Sequence, residues 1–277
     1  MLSKTSSSLS GALITLVIPT LSIASEYQHQ ASLGYYSYEY EDEATSAYSS
    51  EGDSISIDYI FALTPVKTDG IFLNEALFLN KSSAIFVGAS HRTHESKATG
   101  GKRRSHENSM AIGGLWVTDN NLVFSLGYQV PVSDEEETSY SIDTMFGSFL
   151  TDHTLVAALI DRDRYKSNNS NDTDDRYTLM LKSIVPLSNE TAWVINPYIS
   201  SSEGEDEVTL STSYYFNHQI ELGILYSRAT GDRTSDRQAV YYNHYLTESI
   251  GLDITLFQSE SEGGESDTWL FGLNYRY

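Results

Sequence analysis

The last stretch of the chain, Asp267-Thr-Trp-Leu-Phe-Gly-Leu-Asn-Tyr-Arg-Tyr277, decides the fold. Its aromatic and aliphatic residues share one phase of a period-2 pattern, whereas Gly272, Asn274 and Arg276 occupy the other. A β-strand with one face in lipid and the other in water needs this alternation. The stretch therefore predicts a membrane-spanning strand.

The same alternation recurs along the chain. Ile55, Ile57 and Tyr59, for example, share one face, and Ser56 and Asp58 share the other. The segments with this pattern lie near 30–40, 54–63, 82–91, 109–117, 122–132, 139–150, 154–164, 176–185, 190–200, 208–217, 219–229, 238–247, 249–258 and 267–277. Single-chain bacterial barrels have an even number of antiparallel strands. The sequence thus predicts an all-β fold, one transmembrane antiparallel β-barrel of about 14 strands.

The connections between these segments alternate in length. The long, mostly acidic ones are 41–53, 92–108, 133–138, 165–175, 201–207, 230–237 and 259–266. Most of the others are tight, such as Asn217-His218 and Thr247-Glu248. Long loops outside and short turns inside are typical of outer-membrane barrels, whereas a soluble two-sheet sandwich, the alternative fold, gives no reason for the asymmetry.

The start of the chain has the pattern of a secretory signal peptide. Lys4 precedes an apolar stretch from Gly11 to Leu21, and Ser22-Ile23-Ala24 forms a small-x-small cleavage site. The stretch is too short for a spanning helix. We therefore expect residues 1–24 to be removed on export and residues 25–277 to form the barrel, localised in the outer membrane.

Composition excludes several functions. The formal net charge of −21 argues against a nucleic-acid partner, and the absence of cysteine excludes disulfides and thiolate metal sites. The 20 tyrosines cluster near segment ends, as interfacial girdles require. The oxygen-rich loop 166–175 lacks EF-hand spacing. No cofactor and no metal site are predicted. The negative net charge indicates either a solvated acidic exterior or a pore that prefers cations.

One inside connection, 64–81, is too long for a periplasmic turn. Asn74 is placed to cap a short helix through Leu79, whose apolar side chains would need a surface to pack against. This stretch resembles the putative general porin family of Gram-negative outer-membrane β-barrels. The matching positions are Pro65, Val66, Thr68, Gly70, Glu75, Ala76, Phe78 and Leu79. Where relatives often carry Pro and Leu after the glycine, this chain has Ile71 and Phe72.

The terminal aromatic residue resembles the C-terminal signal that the barrel assembly machinery reads on the last strand. The residues of this candidate assembly signal are Trp269, Phe271, Leu273, Tyr275 and Tyr277. The resemblance implies outer-membrane lipid, lipopolysaccharide and the assembly machinery as partners.

A barrel of this size has an interior wider than its side chains fill, and the residues before the first strand, 25–29, are too few to plug it. We therefore expect a porin, a passive channel for ions and small hydrophilic solutes. Candidates for lining the pore lie on the polar phase: Asp58, Gln129, Asp143, Lys182, Asn196, Glu221, Asp253 and Arg276.

Two alternatives remain open: a barrel hydrolase, phospholipase- or protease-like, and a non-conducting adhesion or assembly barrel. No GxSxG, HExxH or P-loop motif occurs, and of the histidines only His91 and His244 lie on predicted strands. We therefore predict no enzyme and no catalytic residue. The predicted loop 92–108 contains the basic residues Lys97, Lys102, Arg103 and Arg104. It would bind lipopolysaccharide phosphates, fold into the pore or form a simple flexible loop.

Overall fold

The computed structural model describes residues 25–41, 48–98, 101–132, 138–167, 170–231, 234–261 and 264–277. The side chains of residues 138 and 165–171 are outside this description, and so is the predicted signal peptide, 1–24. The strands are β1 (Glu26–Glu41), β2 (Ser49–Lys67), β3 (Ala84–Ala98), β4 (Gly101–Val117), β5 (Leu122–Pro131), β6 (Thr138–Thr151), β7 (Thr154–Ser167), β8 (Ser170–Pro186), β9 (Ala192–Ser202), β10 (Glu205–Tyr215), β11 (Ile220–Gly231), β12 (Ser235–Tyr245), β13 (Ile250–Ser261) and β14 (Gly264–Arg276).

These strands form one closed barrel in which each pairs antiparallel with the next. The barrel closes between β1 and β14, where Leu33 lies opposite Leu273 and Tyr35 opposite Phe271. Closure leaves no strand edge exposed to lipid, where an unpaired backbone group would be costly. The predicted fourteen-stranded antiparallel barrel is confirmed.

The outer face carries the apolar phase of each strand. Ile57, Ile112, Leu126, Ile224 and Trp269 are all exposed there. The opposite phase points into the barrel. Among the described residues, no helix has the length and apolar character needed to span a membrane.

Five of the predicted loops are mostly strand: 92–108, 165–175, 201–207, 230–237 and 259–266. The interval 92–108 contains the ends of β3 and β4, which pair as far as Ala98 and Gly101. Likewise, β7 and β8 continue pairing through the interval 165–175 as far as Ser167 and Ser170. We attribute the error to hydration, because a strand that extends beyond the bilayer is wet on both faces and loses the alternation that identifies it.

The long inside connection is also shorter than predicted, because residues 64–67 belong to β2. Residues 68–83, hereafter the inward segment, link β2 to β3 through a 3-10 turn (Leu73–Glu75) and the one-turn helix α1 (Ala76–Leu79). The short helix is present, but the expected cap is wrong: Asn74 lies inside the 3-10 turn, and the residue at the N-cap of α1 is Glu75, which makes no side-chain cap hydrogen bond. Asn74 instead uses its side-chain amide for a contact with the barrel wall.

Candidate functional site

The inward segment lies within the barrel at the short-turn end. It leaves the sheet at β2, yet its residues contact lumen-facing side chains of β6, β8, β10, β11 and β14. In a closed barrel, contacts with such distant strands are possible only across the interior. Since short turns face the periplasm in outer-membrane barrels, the segment crosses the periplasmic end of the lumen.

Apolar packing holds the segment against three parts of the wall. Phe72 packs on Tyr215 of β10 with ring centroids 4.7 Å apart, and Phe78 packs on Phe149 of β6 at 5.1 Å. Ala76 is fully buried in a third cluster against β1 and β2. Buried aromatic side chains contribute about 1.5–3 kcal/mol each, so this end of the lumen is built like the core of a soluble domain.

Glu221 on β11 is the central polar anchor of the segment. It is 3% exposed, and its carboxylate accepts hydrogen bonds from Ser213 Oγ at 2.5 Å and Tyr215 OH at 3.0 Å. Two side-chain amides, Asn74 Nδ2 of the segment and Asn243 Nδ2 of β12, also donate to it, each at 2.8 Å. Four donors offset the desolvation of a buried carboxylate. One of the four belongs to the segment.

Arg276, next to the last residue of the chain, forms a second anchor. Its Nη1 donates to the carbonyl oxygen of Leu73 at 2.8 Å, and its Nε donates to Gln30 Oε1 at 2.8 Å. The guanidinium lies 4.7 Å from the ring centroid of Tyr27 and 4.3 Å from that of Tyr245. Its planar group therefore combines directed hydrogen bonds with contacts to two aromatic rings.

Two ion pairs complete the attachment. Lys182 Nζ on β8 lies 2.6 Å from Glu75 Oε2 of the segment, which is buried. Lys81 Nζ lies 2.8 Å from Asp152 Oδ1 in the turn between β6 and β7. The hydrogen bond from Lys81, and then its charge, lower the pKa of the exposed Asp152 carboxyl. Lys182, Glu221 and Arg276, all expected on the pore wall, thus have lumen-side side chains that bind the segment.

The three mid-strand aspartates share a different arrangement. Each lies in register with a glycine of the neighbouring strand: Asp58 with Gly88, Asp143 with Gly127 and Asp253 with Gly272. A Cβ added to Gly127 or Gly272 would lie 3.1 Å from a carboxylate oxygen of its partner, and at Gly88 it would lie closer still. The missing side chain leaves room for the carboxylate to lie along the wall.

Further carboxylates extend this acidic surface on β7. Asp161 lies opposite Asp143 in register, and Asp163 accepts a short hydrogen bond from the Ser141 hydroxyl. Arg176 of β8 is the register partner of Asp161 and supplies a positive charge. The lumen-facing position of Asp161 and Asp163 follows from the alternation of β7, on which the neighbouring Ile160 is exposed on the outer face.

The remaining lining candidates lie on the same face. Gln129 of β5 is exposed and donates from Nε2 to Ser109 Oγ at 3.5 Å. Asn196 of β9 pairs with Ser211, and its Oδ1 is a buried atom without a hydrogen-bond partner among the described residues. Three of the eight candidates, Lys182, Glu221 and Arg276, therefore bind the inward segment, and the other five have no hydrogen bond or ion pair to it within the described part of the chain.

The outward phase of β14 ends at the barrel seam. Trp269, Phe271, Leu273 and Tyr277 are exposed on the outer face. The Tyr277 ring stacks on His29 of β1 with centroids 4.8 Å apart and on Tyr275 at 5.6 Å. Backbone hydrogen bonds join Tyr277 N to His29 O at 2.9 Å and His29 N to Tyr277 O at 3.0 Å. The last residue of the chain thus closes the barrel at its periplasmic end.

The lumen also contains tyrosines that the sequence reasoning assigned to girdles. Tyr36 and Tyr38 of β1 share the phase of Ser32, whose hydroxyl binds the lumen-facing Asn274 at 2.6 Å. Tyr38 also makes a short hydrogen bond to His94 of β3. Tyr36 and Tyr38 are on the opposite phase of β1 from the outward-facing Leu33, and this alternation in the sequence identifies them as lumen residues.

Five histidines lie on strands and not only the two expected, because the strands extend beyond the predicted segments: His29, His91, His94, His106 and His244. His91 Nδ1 lies 2.8 Å from Asn108 Oδ1, and His244 Nδ1 lies 3.0 Å from Tyr242 OH. Neither imidazole contacts a serine hydroxyl in the described ranges. Within the same ranges, no group of three or more histidine, aspartate or glutamate side chains is arranged to hold a metal ion.

The basic residues of the predicted loop 92–108 lie on the β3–β4 hairpin. Lys97 Nζ lies 3.8 Å from Glu51 and 3.9 Å from Glu95, and Lys102 forms a short ion pair with the same Glu95. Arg104 stands opposite Glu95 in register. These residues lie on paired strands beside carboxylates, so most of the predicted loop 92–108 is a strand hairpin.

Comparison with known proteins identifies the family. A family model described as putative general bacterial porin matches residues 3–277. Among solved structures, the chain resembles the outer membrane protein Omp33 of Acinetobacter baumannii, with 13% identity, a TM-score of 0.61 and coverage of 91% of this chain and 99% of that one. It also resembles an outer membrane channel of Pseudomonas putida F1, with 11% identity, a TM-score of 0.52 and coverage of 95% and 100%. No curated protein sequence matches the chain.

These likenesses place the barrel in the outer membrane. The expectation drawn from residues 65–79 is confirmed over the whole matched length. The protein belongs to the family of putative general bacterial porins and has the architecture of a porin-type channel.

Proposed function

We propose that this porin is a passive diffusion channel for ions and small hydrophilic solutes, that it prefers cations, and that it catalyses no reaction. The observation that carries the preference is the placement of Asp58, Asp143 and Asp253 along the lumen wall, each over a glycine. Asp161 and Asp163 add to the same acidic surface. Carboxylates in a narrow lumen with low-dielectric walls raise the local cation concentration.

The inward segment restricts the periplasmic end of the proposed path. A solute entering from the extracellular side meets the acidic surface first and then the segment. The carboxylates of the acidic surface therefore select solutes by charge, and the packed inward segment restricts their passage at the periplasmic end. Outer-membrane lipid and lipopolysaccharide surround the barrel in this proposal, and the assembly machinery recognises the outward aromatic residues of β14. Residues 1–24 act as a cleaved export signal.

Reversal potentials in a salt gradient test the cation preference. Replacing Asp58, Asp143 and Asp253 with asparagine keeps side-chain size and removes three negative charges. The ratio of cation to anion permeability should fall, most clearly at low ionic strength, where screening is weak. A matched variant replaces the exposed Glu39, Glu41 and Glu265, which lie on the outward phase of β1 and β14, with glutamine. It makes the same charge change and should leave the ratio near the wild-type value.

An unchanged reversal potential in the aspartate variant would show that these carboxylates do not set selectivity. A wild-type protein that folds into bilayers and never conducts would instead contradict the channel itself and favour an adhesion or assembly role.

A further inference from the structure

The upper lumen contains a cavity of about 260 Å³ between β1 and β5, away from the inward segment. It is lined by Tyr36, Ser54, Ser90, Arg92, Glu107 and Gln129, together with Ser109. None of these residues except Gln129 was a candidate for the pore wall. The volume lies just below the roughly 300–1,000 Å³ that is usual for small-molecule sites, which suits a ligand of one ring.

The cavity has no net formal charge although the chain is strongly acidic. Its two charged residues, Arg92 and Glu107, are register partners on β3 and β4. The Arg92 guanidinium lies 5.4 Å from the ring centroid of Tyr38. A neutral ligand therefore meets balanced charge here, whereas Asp58, Asp143 and Asp253 of the proposed cation path do not line this cavity.

The other polar groups are hydroxyls and an amide. Ser90 Oγ and Ser109 Oγ lie 2.8 Å apart, and Gln129 Nε2 donates to Ser109 at 3.5 Å. A serine hydroxyl both donates and accepts, and a glutamine amide does the same through separate atoms. This set matches the hydroxyl groups of a polyhydroxylated ligand, each of which also donates and accepts.

Tyr36 supplies an aromatic surface at the same site. Its ring centroid lies 5.9 Å from that of Tyr38. Tyr38 lies across Gly52, where an added Cβ would fall 2.5 Å from the Tyr38 ring. Two phenol rings thus follow β1 on the lumen side, where they are remote from the lipid interface that normally explains tyrosine in a barrel.

The cavity continues towards the periplasm along one wall. A second cavity of about 230 Å³ shares Tyr36 and Ser54 with the first and reaches Asp253 and Asn274. A third, of about 360 Å³, shares Asp253 and Asn274 with the second and ends at Asn74 of the inward segment. The three cavities share lining residues along this wall, and the second is lined by Asp58 and by the apolar Leu33 and Leu270 as well.

We propose that the upper cavity is a binding site for a neutral, polyhydroxylated solute the size of one sugar ring. The apolar face of the ring lies on Tyr36, and its hydroxyl groups bind Ser54, Ser90, Gln129 and the Arg92–Glu107 pair. This inference rests on the proposed channel function, because it names a class of solute for the same lumen.

Saturation-transfer difference NMR on the folded full-length protein in detergent micelles tests binding without requiring an open channel. Glucose is the probe, and glycine betaine, which is small and zwitterionic, is the comparison solute. Glucose should show saturable transfer with a dissociation constant in a measurable range, and glycine betaine should show none. Equal transfer to both solutes, or none to glucose, would overturn the proposal.

Variants locate the site. Tyr36→Ala should raise the dissociation constant for glucose roughly fivefold through loss of the ring contact. Gln129→Met keeps the length of the side chain, removes the amide and should weaken binding in the same direction. Tyr198→Ala removes a lumen-side tyrosine on the opposite part of the barrel and serves as the matched control. If Tyr36→Ala does not fold, the glucose affinity of Gln129→Met tests the site by itself. Unchanged glucose binding in every folded variant would show that this cavity is not the binding site.

Conductance measured on the same preparations separates this inference from the channel proposal. A protein that conducts ions and does not bind glucose keeps its channel function and loses the sugar site. A protein that binds glucose and does not conduct keeps the site and loses the channel function.

Discussion

The two ends of the lumen are built on different principles. At the periplasmic end, Phe72 and Phe78 pack on Tyr215 and Phe149, and the buried carboxylate of Glu221 accepts four hydrogen bonds. Higher in the barrel, the wall consists of serines, amides and carboxylates laid over glycines, and cavities lie between them. One further cavity, of about 360 Å³, reaches down to Asn74 and Leu77 of the segment.

The two ends of this single barrel can therefore perform different tasks, one limiting passage and the other binding solutes or ions. A packed region resists penetration by water and solutes, because its apolar side chains fill the space and most of its buried polar groups are already hydrogen-bonded. A polar, incompletely filled region can exchange its water for a solute or an ion. We infer that the periplasmic end limits passage and that the upper lumen selects what passes.

The largest expected effect comes from the seam on which the periplasmic end depends. Tyr277→Asp removes the ring that stacks on His29 and places a carboxylate on the outward face of β14. Folded, membrane-inserted protein should fall to a small fraction of the wild-type level, measured by the shift in gel migration between heated and unheated samples. Tyr277→Phe keeps the ring and should assemble normally; normal assembly of the aspartate variant would remove the role given to the terminal residue.

A second prediction compares the packing of the two regions directly. Phe149→Ala in the periplasmic core should lower the free energy of unfolding by about 3–5 kcal/mol, because it leaves a cavity next to Phe78. Tyr198→Ala, at a half-buried lumen position, should cost roughly 1 kcal/mol or less. Urea titration in lipid vesicles measures both, and similar losses would mean that the two regions are packed alike.

Glu221→Ala targets the attachment of the segment. It leaves buried donors of Ser213, Tyr215 and Asn243 without an acceptor, which costs about 1–3 kcal/mol for each donor that finds no substitute. It also frees Asn74, so the mean single-channel conductance should rise several-fold. Glu205→Ala, an exposed glutamate on β10, is the control. Wild-type conductance in the Glu221 variant, once folded, would show that this anchor does not hold the segment.

The sequence predicted the barrel well because period-2 alternation is a property of each strand by itself. The pairs that decide whether a side chain faces lipid or lumen, such as Ile57 and Asp58, are adjacent in sequence. Strand ends beyond the bilayer were missed at residues 92–98 and 101–108, since both faces are wet there and the pattern disappears.

The periplasmic end was predictable only in part. The composition of the inside connection predicts a helix near residues 74–79, but it does not predict that this helix packs inside the barrel. Arg276 and Leu73 are far apart in sequence and meet only because the barrel closes. No local pattern distinguishes an Arg276 that lines a pore from one that binds a carbonyl oxygen of the segment.

The absence of cysteine makes the comparison directly measurable. Ser82→Cys places a thiol in the inward segment at a position that is 3% exposed, and Ser54→Cys places one in the upper cavities. Both changes replace a hydroxyl with a thiol, and reaction with a small, charged, membrane-impermeant methanethiosulfonate is followed on the folded protein in vesicles. The thiol of the Ser54 variant should react at least an order of magnitude faster than the thiol of the Ser82 variant. The cavity at position 54 is open to water, whereas the inward segment must open locally before the reagent reaches position 82. Equal rates at the two positions would contradict a packed periplasmic end beneath a hydrated upper lumen.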